Sequence, residues 1–152
     1  MIRQMLIPGE PQGKARPRAT VVGGHARVYT PKTTATYENL VRLCFLEQNK
    51  GAEPEKGPVQ IEMVFYFAPP KSAYWPVNSK HNGELKDGWL DKRQTSKPDI
   101  DNLVKSVLDG LNGVAFKDDS QIWRVTASKM YSKKPCVLVM LIGDDDAGNA
   151  KE

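Results

Sequence analysis

The segment Asp99–Leu111 constrains the fold most. Ile100, Leu103, Val104, Val107, Leu108 and Leu111 fall at i, i+3, i+4, i+7, i+8 and i+11, and Asn112-Gly113 follows as a stop signal. A helix with one wholly apolar face needs a partner surface to bury it. Val59, Ile61, Met63, Phe65 and Phe67 alternate as a strand does, and Cys136–Ile142 is an unbroken apolar run. The order read along the chain begins with a strand at 2–7 and a small hairpin at 19–22 and 25–29. A helix follows through Tyr37, Leu40, Val41, Cys44 and Phe45, fading near Gly51. A strand at 59–67, an irregular stretch at 69–97, the helix at 99–111, and strands at 121–129 and 136–143 complete it. With 152 residues there is material for one core. The expectation is a single α/β (α+β) domain over 1–143. It has a mixed sheet of about four strands packed by two main helices. A polar tail, 144–152, follows.

Several classes drop out. The longest apolar run has seven residues, Cys136–Ile142, whereas a membrane-spanning helix needs about 20. The first eight residues lack the apolar stretch of a signal peptide. Cys44 and Cys136 lie in apolar segments, so two reduced thiols in a cytoplasmic protein are expected. With two histidines and no CxxC, zinc is a poor fit, and a metal here calls for carboxylates.

The net charge is +4, but its layout says more. Residues 1–50 carry +5 and residues 71–97 carry +3, while residues 98–122 carry −3 through five aspartates and two lysines. Basic stretches suit a polyanion; a concentrated acidic patch repels one unless a cation neutralises it.

Within the acidic patch, Asp99 stands where a helix cap belongs, its carboxylate expected to accept from the first-turn amides. Asp101 lies in the first turn. Lys105 is expected one turn above Asp101 on the same face, with Asp109 continuing the polar stripe. Each feature alone is ordinary in a surface helix, and Asp118-Asp119 alone is an ordinary polar turn. Together they say more. If the strand beginning near Gln121 lies beside the helix start, Asp118 or Asp119 joins Asp99 and Asp101 around one point. Three carboxylates suit a hard cation such as Mg²⁺, which can activate water against a phosphodiester. A neighbouring lysine steadies the charge that develops.

The run Lys97-Pro98-Asp99-Ile100-Asp101-Asn102-Leu103-Val104-Lys105, continuing through Asp109-Gly110-Leu111, strongly resembles the RusA family of Holliday-junction resolvases. The family pattern is a DxDNLxK helix followed by a DDxQ turn, here Asp118-Asp119-Ser120-Gln121. Gly13-Lys14-Ala15-Arg16-Pro17-Arg18 and Val28-Tyr29-Thr30-Pro31-Lys32 are similar to the longer, phage-type members. The resemblance spans most of residues 3–142 and is weakest over 69–97.

The resemblance implies a small homodimer that binds four-way DNA junctions and cuts two opposed strands with Mg²⁺ or Mn²⁺. It implies Asp99, Asp101 and Asp119 as catalytic, metal-binding acids, Lys105 as the essential lysine, and Asp118 as a further candidate ligand. Lys14, Arg16, Arg18, Arg27 and Lys97 are read as DNA contacts, with lysines of the 69–97 stretch beside them. Tyr74, Trp75 and Trp89 are candidates for stacking on unpaired bases, or for packing against the sheet or a dimer partner. Trp123 is expected in the core or an interface, and His25 and His81 have no assigned role. Two other readings compete: a non-catalytic nucleic-acid-binding module, in which the aspartates are merely caps and turn residues, and a metal-dependent nuclease of forks, flaps, other branched DNA or RNA.

Overall fold

A computed structural model of the chain describes residues 1–15, 18–29 and 32–144. Its spine is β4 (Val59–Phe67), whose alternation buries Val59, Ile61, Met63, Phe65 and Phe67 on one face and leaves the other half-covered. The main sheet runs β1 (Ile2–Pro8), β6 (Cys136–Gly143), β4, β5 (Ile122–Tyr131). β1 and β4 flank β6 antiparallel, while β5 lies parallel to β4 at the edge. β2 (Arg18–Val22) and β3 (His25–Tyr29) form a separate hairpin. The expected α+β domain with a four-stranded mixed sheet and two helices is therefore what the chain forms.

Parallel neighbours need a crossover, and α2 (Ile100–Leu111) supplies it. It buries Leu103, Val107 and Leu111 against the sheet, beside Tyr37, Val41 and Phe45 of α1 (Lys32–Gln48). The two helices approach closely at Gly110, where a Cβ would lie 2.7 Å from Val41 Cβ and 2.9 Å from the Glu38 carbonyl oxygen. As in other crossovers of this kind, the helix start lies by the carboxyl ends of the parallel strands. Lys129 Nζ, near the end of β5, donates to the Pro98 carbonyl at 2.8 Å.

The 69–97 stretch lacks periodicity because turns and backbone bonds hold it. It contains a 3₁₀ turn at Lys71–Ala73 and a bridge between Tyr74 and Leu85. Its end is sewn to β5 by Gln94 N–H to the Lys129 carbonyl (2.9 Å), Asp91 N–H to the Tyr131 carbonyl (3.1 Å) and Tyr131 N–H to the Lys92 carbonyl (3.0 Å). Cys44 and Cys136 are free thiols. No helix among the described residues is long and apolar enough to cross a membrane. The tail beyond Asp144 lies outside the described residues.

Candidate active site at the start of α2

Asp99 occupies the cap position of α2 in extended conformation (φ −68°, ψ 144°), but its side chain makes no capping hydrogen bond. The expectation that its carboxylate would serve the first-turn amides is thus corrected. The approach to the helix is fixed by other groups. Gln94, a buried polar side chain, accepts from Ser96 N–H at 3.0 Å and donates to the Lys97 carbonyl at 3.2 Å. Lys129 Nζ donates to the carbonyls of Ser96 (2.7 Å) and Pro98 (2.8 Å). With its backbone held this way, the Asp99 carboxylate stays half-exposed, 3.8 Å from the exposed ammonium of Lys97. Asp101 is exposed one step along. Both acids border a cleft of about 590 Å³, whose far wall includes Arg93, Ser128 and Lys129.

Lys105 is exposed, and its ion pair is with Asp109 at 3.9 Å rather than with Asp101. Asp109 is the less exposed acid, so its charge is less screened. Asp109 also accepts from Lys14, which lies 3.6 Å from Glu38 as well. The bond to Asp109, more than any other influence, raises the Lys14 pKa above its usual 10.5. Lys14 is therefore first a fastener. With Lys14 N–H on the Asn102 carbonyl (3.0 Å), Ala15 N–H on Thr34 Oγ1 (3.1 Å) and Ser106 Oγ on the Gln12 carbonyl (2.8 Å), it ties residues 12–15 across α1 and α2. That tie brings Gly13, Lys14 and Lys97 to a second side of Asp99, around a cleft of about 390 Å³. Arg27 is exposed on β3. Arg18 belongs to β2, paired through its backbone with Tyr29. Arg16 lies outside the described residues.

The acidic pair is built differently. Asp118 caps a 3₁₀ turn, Asp119–Gln121. Its carboxylate accepts from Ser120 Oγ and, at 3.2 Å, from Ser120 N–H. The Ser120 hydroxyl, then its amide, hold the Asp118 carboxyl below the usual 3.8. Gln121 Oε1 accepts from Asp118 N–H at 2.9 Å, while its Nε2 donates to the carbonyls of Glu55 (2.9 Å) and Gly57 (2.8 Å). The glutamine of the DDxQ turn is thus the bolt that fixes the turn to the 55–57 connector. Asp119 is exposed, and among the described residues no hydrogen bond or ion pair involves its carboxylate.

The expected convergence of this turn on the helix start does not occur within one chain. Twelve helical residues span about 18 Å. The acidic pair sits beyond the first residue of β5, whereas Asp99 sits by Lys129, near its end. Among the described residues no three His, Cys, Asp or Glu side chains are grouped to hold a metal ion. Asp99 with Asp101 and Asp118 with Asp119 are two separate acidic sites at opposite ends of α2.

The two tryptophans of 69–97 make contacts within the chain. Trp75 stacks on His81 at 4.7 Å, with Lys86 Nζ 5.0 Å from its centroid. Trp89 meets Tyr131 edge-on at 5.2 Å and carries Lys92 Nζ at 4.2 Å. Trp89 thus packs against β5 through Tyr131, while Trp75 stays 38% exposed. Trp123 is not in the core but 62% exposed on β5.

Gln94 and Lys129 were missed by sequence reasoning. A glutamine in a polar stretch carries no signal. Lys129 did carry one: it pairs with Phe65 in the parallel register, so it sits on the core-facing side of its strand.

Fold and site together define an α+β protein with an acidic, lysine-flanked cleft at the carboxyl ends of two parallel strands, a common place for ligands in such sheets. The family described as endodeoxyribonuclease RusA matches residues 8–142. The chain belongs to that family of DNA endonucleases, as its DxDNLxK and DDxQ segments implied. A Bacillus subtilis (strain 168) protein, "Uncharacterized protein YqaN", is 37% identical over 138 residues, 91% of this chain and 94% of that one.

Proposed function

We propose that this protein is a metal-dependent endonuclease that resolves four-way (Holliday) DNA junctions by paired symmetric nicks, acting as a homodimer in DNA recombination and repair. The observation that carries the reading is that the Asp99 carboxylate makes no capping bond. In a non-catalytic binding module this aspartate would serve as a cap; here that task is left undone and the carboxylate stands open beside Asp101.

Two exposed oxygen donors at a helix start fit part of the shell of Mg²⁺ or Mn²⁺. They do not fill it, and the third carboxylate must come from elsewhere. Asp119 is the better candidate, since the Asp118 carboxylate is already spent on Ser120. A second copy can supply it. The acidic turn lies at one end of the flank formed by β5 and α2, and the helix start lies at the other. A two-fold axis through the middle of that flank exchanges its ends. Asp119 of the partner subunit then approaches Asp99 and Asp101, twice per dimer. The flank carries exposed apolar side chains at the right place: Trp123 (62%), Val125 (41%) and Ile100 (40%). A divalent cation held there supplies Lewis acidity and an activated water.

The chain's own residues do the rest. Lys105, on the exposed side of α2, offers its ammonium to the phosphate. Lys97, with Arg16, Arg18 and Arg27, positions the DNA backbone without reading its sequence. Lys14 helps from behind, through Asp109 and the seating of Gly13. Two equivalent sites match the two opposed strands that must be cut.

The test is cleavage of a synthetic four-way junction, compared with fork and linear duplex at equal concentration. Paired nicks that require Mg²⁺ and vanish in Asp101→Asn support the proposal. Binding without cutting, across metals and junction sequences, overturns it. Faster cutting of forks than of junctions moves the protein to another branched substrate.

A further inference from the structure

We infer that Lys129, assisted by Gln94, is the positioning residue that holds the Asp99–Asp101 pair ready for a cation; the inference rests on the metal-dependent reading above. Lys129 Nζ donates to the carbonyls of Ser96 and Pro98 at 2.7 and 2.8 Å, and Pro98 is the residue immediately before Asp99. Gln94 closes the same turn from inside, with its acceptor on Ser96 N–H and its donor on the Lys97 carbonyl. Between them, three successive residues before the helix, Ser96 to Pro98, have a carbonyl held by a side chain. The helix start is thereby fixed without using the Asp99 carboxylate as a cap.

A cationic side chain with several donors suits this task. An ammonium offers several donors from one point and can gather carbonyls that face it from different directions. Lys129 also lies in the cleft wall shared with Asp99 and Asp101, so its charge lowers the repulsion between two adjacent carboxylates before a cation arrives. Partners that orient metal-binding side chains typically change affinity by about 10- to 100-fold when removed.

The experiment uses the full chain with Lys129→Met, Lys129→Arg and Gln94→Glu. Mn²⁺ binding to the DNA-free protein is measured by the spin-resonance signal of free Mn²⁺, beside the Mg²⁺ dependence of junction cleavage and thermal melting. Lys129→Met is expected to weaken Mn²⁺ binding about tenfold and raise the half-activating Mg²⁺ concentration by a similar factor. KM for the junction should stay within about twofold, and Lys129→Arg should recover most of the loss. If Lys129→Met does not fold, Gln94→Glu, which keeps the acceptor and removes the donor, should shift Mn²⁺ binding about threefold in the same direction. A folded Lys129→Met that binds Mn²⁺ as the wild type does, or an arginine variant no better than methionine, overturns the inference alone. A wild type that binds no Mn²⁺ overturns the metal reading and the inference with it.

Discussion

The two acidic segments of this chain look alike in sequence and are opposites in structure. At the acidic turn, Asp118 is consumed by local bonds to Ser120, and Gln121 anchors the whole turn to the 55–57 connector. At the helix start, the Asp99 carboxylate makes no capping bond, and the backbone before it is held through its carbonyls by a lysine and a glutamine from elsewhere. The difference teaches how to tell an acid with its bonds made from one left open for the chemistry proposed above. Asp118 has its hydrogen bonds made, while Asp99 keeps an uncapped carboxylate on a backbone held by other side chains.

The sharpest way to break that comparison is to neutralise one acid at a time. Asp101→Asn should lower junction cleavage about a thousandfold or more, since on the proposed function it removes a charged ligand of the cation, while melting temperature holds or rises because repulsion with Asp99 is relieved. Next in size is the contrast within the acidic pair. Asp119→Asn should cost about a hundredfold or more in cleavage rate with little change in melting. Asp118→Asn should do the reverse, lowering melting and leaving most of the cleavage. Equal losses from the two would show that the free carboxylate is not the chemical one.

A smaller effect is expected at Gln121. Gln121→Leu strands the Asp118 N–H and the Gly57 carbonyl and leaves the Glu55 carbonyl to the Lys117 N–H, for about 2 kcal/mol of stability in denaturant unfolding. Its cleavage loss should exceed that of a core variant of equal stability, because it releases the turn that carries Asp119.

The smallest effect is in pH. The Asp118 carboxyl is held below 3.8 in the folded state, so its stabilisation is complete above that value and is lost as pH falls through the depressed one. The Lys14 ammonium is held above 10.5, so its contribution is complete below that value and is lost as pH rises through the raised one. Melting temperature against pH should therefore flatten on the acid side in Asp118→Asn and on the alkaline side in Lys14→Met. Curves parallel to the wild type would show that these bonds do not persist in solution.

Much of the fold was legible because it depends on period. The α2 stripe, the β4 alternation and the apolar run of β6 each specify an element and its buried face. The 69–97 stretch was not legible as structure, since its bonds are turns, a bridge and cation–aromatic contacts with no repeat. At the site, the sequence marked Asp99, Asp101, Lys105 and the acidic pair as chemistry, but not how they are placed. Capping is the default for an aspartate before a helix, and nothing local to Asp99 reveals that Lys129, thirty residues on, holds the carbonyls of Ser96 and Pro98 beside it. The separation of the two acidic segments was readable in principle. A crossover helix runs antiparallel to the strand it feeds, so its first residue and the turn after it lie at opposite ends.

That separation makes the shared site the central claim, and mixing inactive variants tests it most directly. Asp101→Asn and Asp119→Asn proteins, each strongly impaired alone, are combined, unfolded and refolded together. If the acids of one copy join the turn of the other, each mixed dimer holds one intact site and one doubly damaged one. About a quarter of all sites should then recover, cutting one strand per junction rather than two. A mixture as inactive as either variant alone would contradict the account.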